Sequence, residues 1–144
     1  MKLTTQIRLI FLPILLASAP TSADAYSMRC KLHQVFQLTA EGAFQPNSLE
    51  SAYLENDMVV DMTTGVVYHA GFGTENYPIK KILDGGSRSS SFKLLASSIP
   101  GPASDFDHAT FVNTTYLQID TWVAETEKPF IVIESQNVGI GLCQ

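Results

Sequence analysis

Long apolar runs, cysteine, histidine and basic residues are all scarce in this sequence, and each scarcity removes a class of protein. The longest apolar run, Leu9 to Ala19, is about eleven residues. A helix needs ~20 to span a bilayer, so no stable membrane insertion is expected. There are 2 cysteines and 3 histidines. They form neither a Cys-x-x-Cys pair nor a cluster with zinc spacing. Lys and Arg number 9 against 14 Asp and Glu, a formal charge of −5. Such a surface argues against nucleic acid or an anionic membrane as the main partner. Also missing are a Gly-x-Ser-x-Gly elbow, a phosphate loop, a dinucleotide fingerprint and a His-Glu-x-x-His helix. No cofactor is expected, and the balance leans away from an enzyme.

What is present begins with a leader. Lys2 and Arg8 give a positive start, the apolar run follows, and Ala23-Asp24-Ala25 before Tyr26 is a small-x-small cleavage site. Residues 1–25 therefore read as a signal peptide, which implies a periplasmic or secreted protein. Arg29, just before Cys30, does not suit a lipoprotein processing site. Removal of the leader leaves 119 residues, enough for a single β domain over residues 26–144. The mature chain carries seven basic and thirteen acidic residues, a formal charge of −6, which suits a basic protein partner. Cys30 and Cys143 lie near its two ends. In an oxidising compartment they are expected to form a disulfide. Closing so long a loop is worth roughly 4–5 kcal/mol in the chain-entropy model.

Strand signals are frequent and short. Cys30 to Leu38 alternates loosely, with Cys30, Leu32, Phe36 and Leu38 on one side and Val35 interrupting the other. Met58–Met62 and Val66–Ala70 read as a hairpin around Thr63-Thr64-Gly65. The expected register sets Met62 opposite Val66 and Val59 opposite His69. Further strands are expected at 79–83, 91–97, 114–123, 129–134 and 138–143. One short helix is expected near 47–54, with Asn47 and Glu50 as a capping box and Leu49, Ala52 and Tyr53 on one face. Seven to eight strands with short connections imply an all-β domain. It is either a small antiparallel up-and-down barrel or a two-layer sandwich. The terminal disulfide favours the barrel, because it places the first and last strands side by side.

Four groups are candidates for function. Tyr116 and Trp122 alternate with the aliphatic positions of the 114–123 strand and are expected to form an aromatic binding patch. Lys80, Lys81 and Arg88, with Lys93, surround Gly85-Gly86, whose amides can turn toward an anion. The expected hairpin register puts Asp61 diagonal to His69, an arrangement that can orient an imidazole. Asp105, Asp107 and His108 resemble a fragment of a metal site that lacks a further ligand. Asn113-Thr114-Thr115 is a glycosylation acceptor pattern, relevant in a eukaryotic host.

The mature chain resembles small exported bacterial β-barrel proteins, including barrel-type lysozyme inhibitors, in its size, leader and terminal cysteines. No stretch matches an inhibitor motif, so the resemblance transfers no residue. The expected function is an exported non-enzymatic binding protein acting on a protein partner, an inhibitor-like role included. The alternatives are a carrier of a small apolar ligand, and a hydrolytic or metal-dependent enzyme using His69 with Asp61 or the Asp105, Asp107 and His108 group.

Overall fold

Strand alternation decides which side chains face inward, and the first strand shows how a single residue can change the phase. The computed structural model describes residues 26–98 and 112–144. Strand β1 (Ser27–Leu38) buries Met28, Cys30 and Leu32 and exposes Arg29 and Lys31 between them. Its ladder with the last strand then slips between Leu32 and Gln34. A bulge of this kind adds one residue and reverses the alternation. Beyond it Val35 is buried, Phe36 half-buried and Leu38 exposed. Phe36 and Leu38 therefore lie outside, not with Cys30 and Leu32 as simple alternation predicts.

The remaining elements are β2 (Phe44–Pro46), helix α1 (Glu50–Leu54), β3 (Met58–Asp61), β4 (Val66–Tyr68), β5 (Ile79–Gly85), β6 (Phe92–Ser97), β7 (Thr114–Ile119), β8 (Lys128–Glu134) and β9 (Asn137–Cys143). The sheet order is β4-β3-β1-β9-β8-β7-β6-β5, with β2 added beside the end of β1. Every pairing is antiparallel. The result is a nearly closed barrel of eight to nine strands with one short helix. The first and last strands do lie side by side, and the Cys30–Cys143 disulfide joins them at directly opposed positions.

The barrel interior is filled by side chains. Met58, Val60, Val67, Phe72, Phe92, Leu94, Leu117, Ile119 and Val132 are all fully buried. Two glycines let β9 pass close to its neighbours. A Cβ on Gly141 would lie 2.0 Å from the carbonyl oxygen of Lys31, and one on Gly139 would lie 2.6 Å from Leu32 Cδ2. The seam between β4 and β5 carries no strand pairing among the described residues. Thr74 partly fills it: its N–H donates to the Val67 carbonyl at 2.8 Å, and its hydroxyl accepts from Val67 N–H at 2.9 Å. Side chains span it too, since a Cβ on Gly65 would lie 2.8 Å from Leu94 Cδ1.

Three expectations need correction. In the β3–β4 hairpin Asp61 faces Val66 and Val59 faces Tyr68, one residue away from the expected register. Asp61 sets the slip by accepting the N–H groups of Thr63 and Thr64 at 2.8 and 3.0 Å, while Gly65 takes a φ of +74°. The capping box does not form. Asn47 Oδ1 accepts from Leu49 N–H, and Glu50 Oε1 instead accepts from Val35 N–H on the edge of β1 between β3 and β2. The helix accordingly starts at Glu50. Strand β7 stops at Ile119, four residues before Val123, because Thr121 and Trp122 enter a turn. The signal peptide lies outside the described residues.

Candidate functional site

The bulge in β1 and the alternation of four neighbouring strands place a row of apolar residues on the outside of the barrel. Leu95 of β6 faces Tyr116 of β7, which faces Ile133 of β8. Ile133 faces Val138 of β9, which faces Phe36 of β1. These five residues therefore lie side by side across five strands. Leu95 is exposed and the other four are half-buried. Directly opposed side chains in antiparallel sheets are near enough to touch, so the row forms a continuous strip. Ile131 and Ile140, opposed in the next row, widen it. At the β1 end Phe36, Phe44, Val138 and Ile140 line an open apolar groove of about 280 Å³. Phe44 is 62% exposed.

A polar ladder fixes the strip on the β7 side. The Tyr116 hydroxyl donates to Gln118 Oε1 at 2.9 Å, and Gln118 Nε2 donates to Asp120 Oδ1 at 2.9 Å. Ser91 Oγ also donates to Asp120 Oδ1, at 2.8 Å. The ladder ties the hydroxyl of the half-buried Tyr116 to its own strand, which restricts the side chain before any contact is made.

The expected aromatic pair separates. Tyr116 belongs to the strip, but Trp122 lies in the turn after β7, 53% exposed. The basic group separates as well. Lys81 faces Leu95 and is exposed at one end of the strip. Lys80 faces the buried Ala96, and its ammonium donates to the carbonyls of Glu75 and Tyr77. Arg88 sits in the β5–β6 turn, where it lines a different hollow with Tyr26 and Met62. The Gly86 amide, expected to turn toward an anion, donates to Asp84 Oδ1 instead.

Asp61 and His69 do not pair. Asp61 is spent on its own turn, and the Thr64 hydroxyl and amide, with the Thr63 amide, hold its carboxyl below the usual range despite slight burial. His69 Nδ1 accepts from the amides of Gly71 and Phe72, both at 3.1 Å, which leaves Nε2 as the donor to the Tyr53 carbonyl at 3.0 Å. These contacts fold the 69–72 loop back so that Phe72 packs in the core against the Tyr53 and His69 rings. Asp105, Asp107 and His108 lie outside the described residues. Among the described residues no group of three His, Cys, Asp or Glu is placed to hold a metal.

One titratable pair escaped sequence reasoning. Glu134, at the end of β8, accepts a hydrogen bond from the Tyr77 hydroxyl across the loop from β4 to β5. Burial raises the Glu134 carboxyl above its usual range, partly offset by that bond. Burial, reinforced by Glu134, pushes the Tyr77 phenol up to about 12. Beside them the Thr115 hydroxyl is buried without a partner. The two partners stand 57 residues apart, so no local pattern marks them. The strip was equally hard to foresee, because Phe36 reaches it only through the bulge.

No protein-family model matches this chain, and no curated protein or solved structure matches it.

Proposed function

We propose that this is an exported, non-enzymatic binding protein that meets a protein partner through the outer strip on β6, β7, β8, β9 and β1. The supporting observation is the directly opposed row from Leu95 to Phe36, which turns apolar side chains to the outside of a barrel whose interior is already filled. A contiguous apolar patch of this sort on a soluble domain is a common mark of an interaction surface. The centre of the row is Tyr116 beside Ile133, an aromatic and a branched aliphatic residue, the chemistry that dominates contact energy at interfaces. The filled interior favours this exterior reading over a carrier with its ligand in the lumen. The engagement of His69 and Asp61 by backbone groups favours it over a catalytic dyad.

Export and the oxidising compartment belong to the same proposal. They rest on the leader, and the Cys30–Cys143 disulfide is in keeping with them.

The test is a comparative capture from periplasmic or culture-fluid extract. The wild type and an Ile133→Asp variant are immobilised at equal loading, after circular dichroism has shown that both are folded. The proposal expects a partner retained by the wild type and lost from the variant. Equal retention by both, or none by either, would contradict it.

A further inference from the structure

We propose that the 69–78 loop is a pH-sensitive latch over the gap between β4 and β5, shut while Glu134 carries a proton and freer to open once Glu134 is ionised. The latch does not depend on the strip being a docking face. The loop crosses the one stretch of barrel wall that has no strand ladder among the described residues. Its β4 end is held by Thr74, whose N–H donates to the Val67 carbonyl at 2.8 Å. Nearer β5, Tyr77 N–H donates to the Thr74 carbonyl at 3.0 Å. The Tyr77 hydroxyl then donates to Glu134 of β8, three strands away from β5 in the sheet order. Among the described residues this is the only side-chain hydrogen bond from the loop to β6–β9.

Glu134 lies on the inner face of the barrel end, because it is directly opposed to the fully buried Thr115. The row across β5 to β9 runs Lys80, Ala96, Thr115, Glu134 and Asn137. Its one cation, Lys80, gives its ammonium to the carbonyls of Glu75 and Tyr77. Asn137 Oδ1 accepts from Asn47 Nδ2 at 2.8 Å. The other acid of the loop, Glu75, is exposed. An ionised Glu134 in the closed barrel is therefore half-buried, with one neutral donor and no cation. Loss of water outweighs the bond from Tyr77, and the neutral carboxyl is favoured. The neutral form also suits Thr115, whose hydroxyl is buried without a partner. One carboxyl oxygen accepts from Tyr77, and the O–H of the other can turn toward the Thr115 oxygen.

Opening the loop withdraws Tyr77 and returns water to Glu134, whose carboxyl then falls back toward the ordinary 4.5. The closed form thus holds the proton more tightly than the open one. Above 4.5 opening releases that proton, so it becomes easier as pH rises through the raised value. For one proton the gain is at most about tenfold per pH unit. Below 4.5 both forms are protonated and the latch is at its tightest. Opening would lift Thr74 from Val67 and uncover Phe72, which is fully buried when the loop is shut.

The experiment is amide hydrogen exchange on the full disulfide-bonded protein, in a pH series from below 4.5 to neutral, with each rate corrected for intrinsic exchange. The Thr74 and Tyr77 amides report on the loop, and the β1–β9 amides serve as reference. Wild type is compared with Glu134→Gln, which keeps the shape and cannot ionise; circular dichroism verifies its fold. Carbon-13 NMR of the Glu134 carboxyl in wild type follows the ionisation itself and decides the matter even if the variant does not fold. The expected result is a severalfold rise in loop opening with pH in wild type. Its midpoint matches the carboxyl titration and lies above 4.5. Glu134→Gln is expected to stay flat at the low-pH level of wild type, with the β1–β9 amides unchanged throughout.

Loop protection that is constant or increases with pH in wild type would overturn the latch. So would a carboxyl midpoint at or below 4.5, or a pH dependence retained in Glu134→Gln. An equal change in the β1–β9 amides would assign the effect to the whole barrel and overturn it as well.

Discussion

The wall formed by β6–β9 and β1 and the wall formed by β3, β4 and β5 follow the same alternation but are held in different ways. The first is hydrogen-bonded without a gap from β6 to β1 and is locked by a disulfide at its β1–β9 seam. The second contains strands of four and three residues, then a seam with no ladder, filled by Thr74 and by side chains. On the first wall, the inner face and the backbone already specify the register. Its outer face is then free to carry apolar residues that contribute little to folding. On the second wall, turn residues and side chains do part of the work that the ladder does elsewhere. The proposed contact surface would then sit on the wall that is paired without a gap and held by the disulfide.

The largest expected effect breaks the stiffer wall at its covalent link. Replacing both Cys30 and Cys143 by alanine is expected to reduce stability by about 2–5 kcal/mol, read from urea unfolding. A loss below about 0.5 kcal/mol would show that the ladder alone holds the seam.

Next come the two β9 glycines, which sharpen the comparison within one seam. Gly141→Ala sets a methyl against the fixed carbonyl of Lys31, whereas Gly139→Ala meets the movable side chains of Leu32 and Val132. Overpacking typically costs about 1–3 kcal/mol, and Gly141→Ala is expected at or above the top of that range. Gly139→Ala is expected well below it. Equal midpoints for the two variants in thermal melts would contradict the packing described for β9.

A smaller effect is expected on the weaker wall. Thr74→Val keeps the shape but leaves Val67 N–H without its acceptor, a loss of about 1–2 kcal/mol. Hydrogen exchange is expected to quicken at Val67 while the β1–β9 amides stay protected. Equal acceleration on both walls would mean that the barrel opens as one unit.

The smallest effect is pH-dependent and concerns the loop that crosses the open seam. Burial favours the protonated form of Glu134 in the folded state. Its contribution is fully present below the ordinary carboxyl value of 4.5 and is lost as pH rises through the raised value. Glu134→Gln is therefore expected to flatten the stability profile on that side. The same variant is expected to lower the Tyr77 ionisation from about 12 in an alkaline absorbance titration, because it removes a neighbouring negative charge. An unchanged titration would place Glu134 away from the phenol.

The two walls also differ in how much of them was legible in the sequence. The β7 alternation of Leu117 and Ile119, the dense Phe130–Ile133 run and the terminal cysteines together pointed to antiparallel strands closed end to end. What local pattern could not supply was the extra residue in β1 near His33. That residue turns Val35 inward and Phe36 outward, and so completes the strip. The hairpin register failed for a related reason: Asp61 captures the Thr63 and Thr64 amides and moves the turn by one position. Strand β2 is three residues long and exposed, too short for a periodicity. The lysines read as one basic group from their spacing, but alternation sends Lys80 inward and Lys81 outward, and the turn removes Arg88 to the other end of the barrel.

The proposed docking face is tested most directly by contact mapping with a photo-crosslinking phenylalanine analogue placed at Tyr116, in the strip, or at Tyr68, exposed on the opposite wall. Each protein is irradiated in extract from the compartment where the chain accumulates. The account predicts a discrete adduct from position 116 that is absent from position 68. The same adduct from both positions, or from position 68 alone, would contradict it.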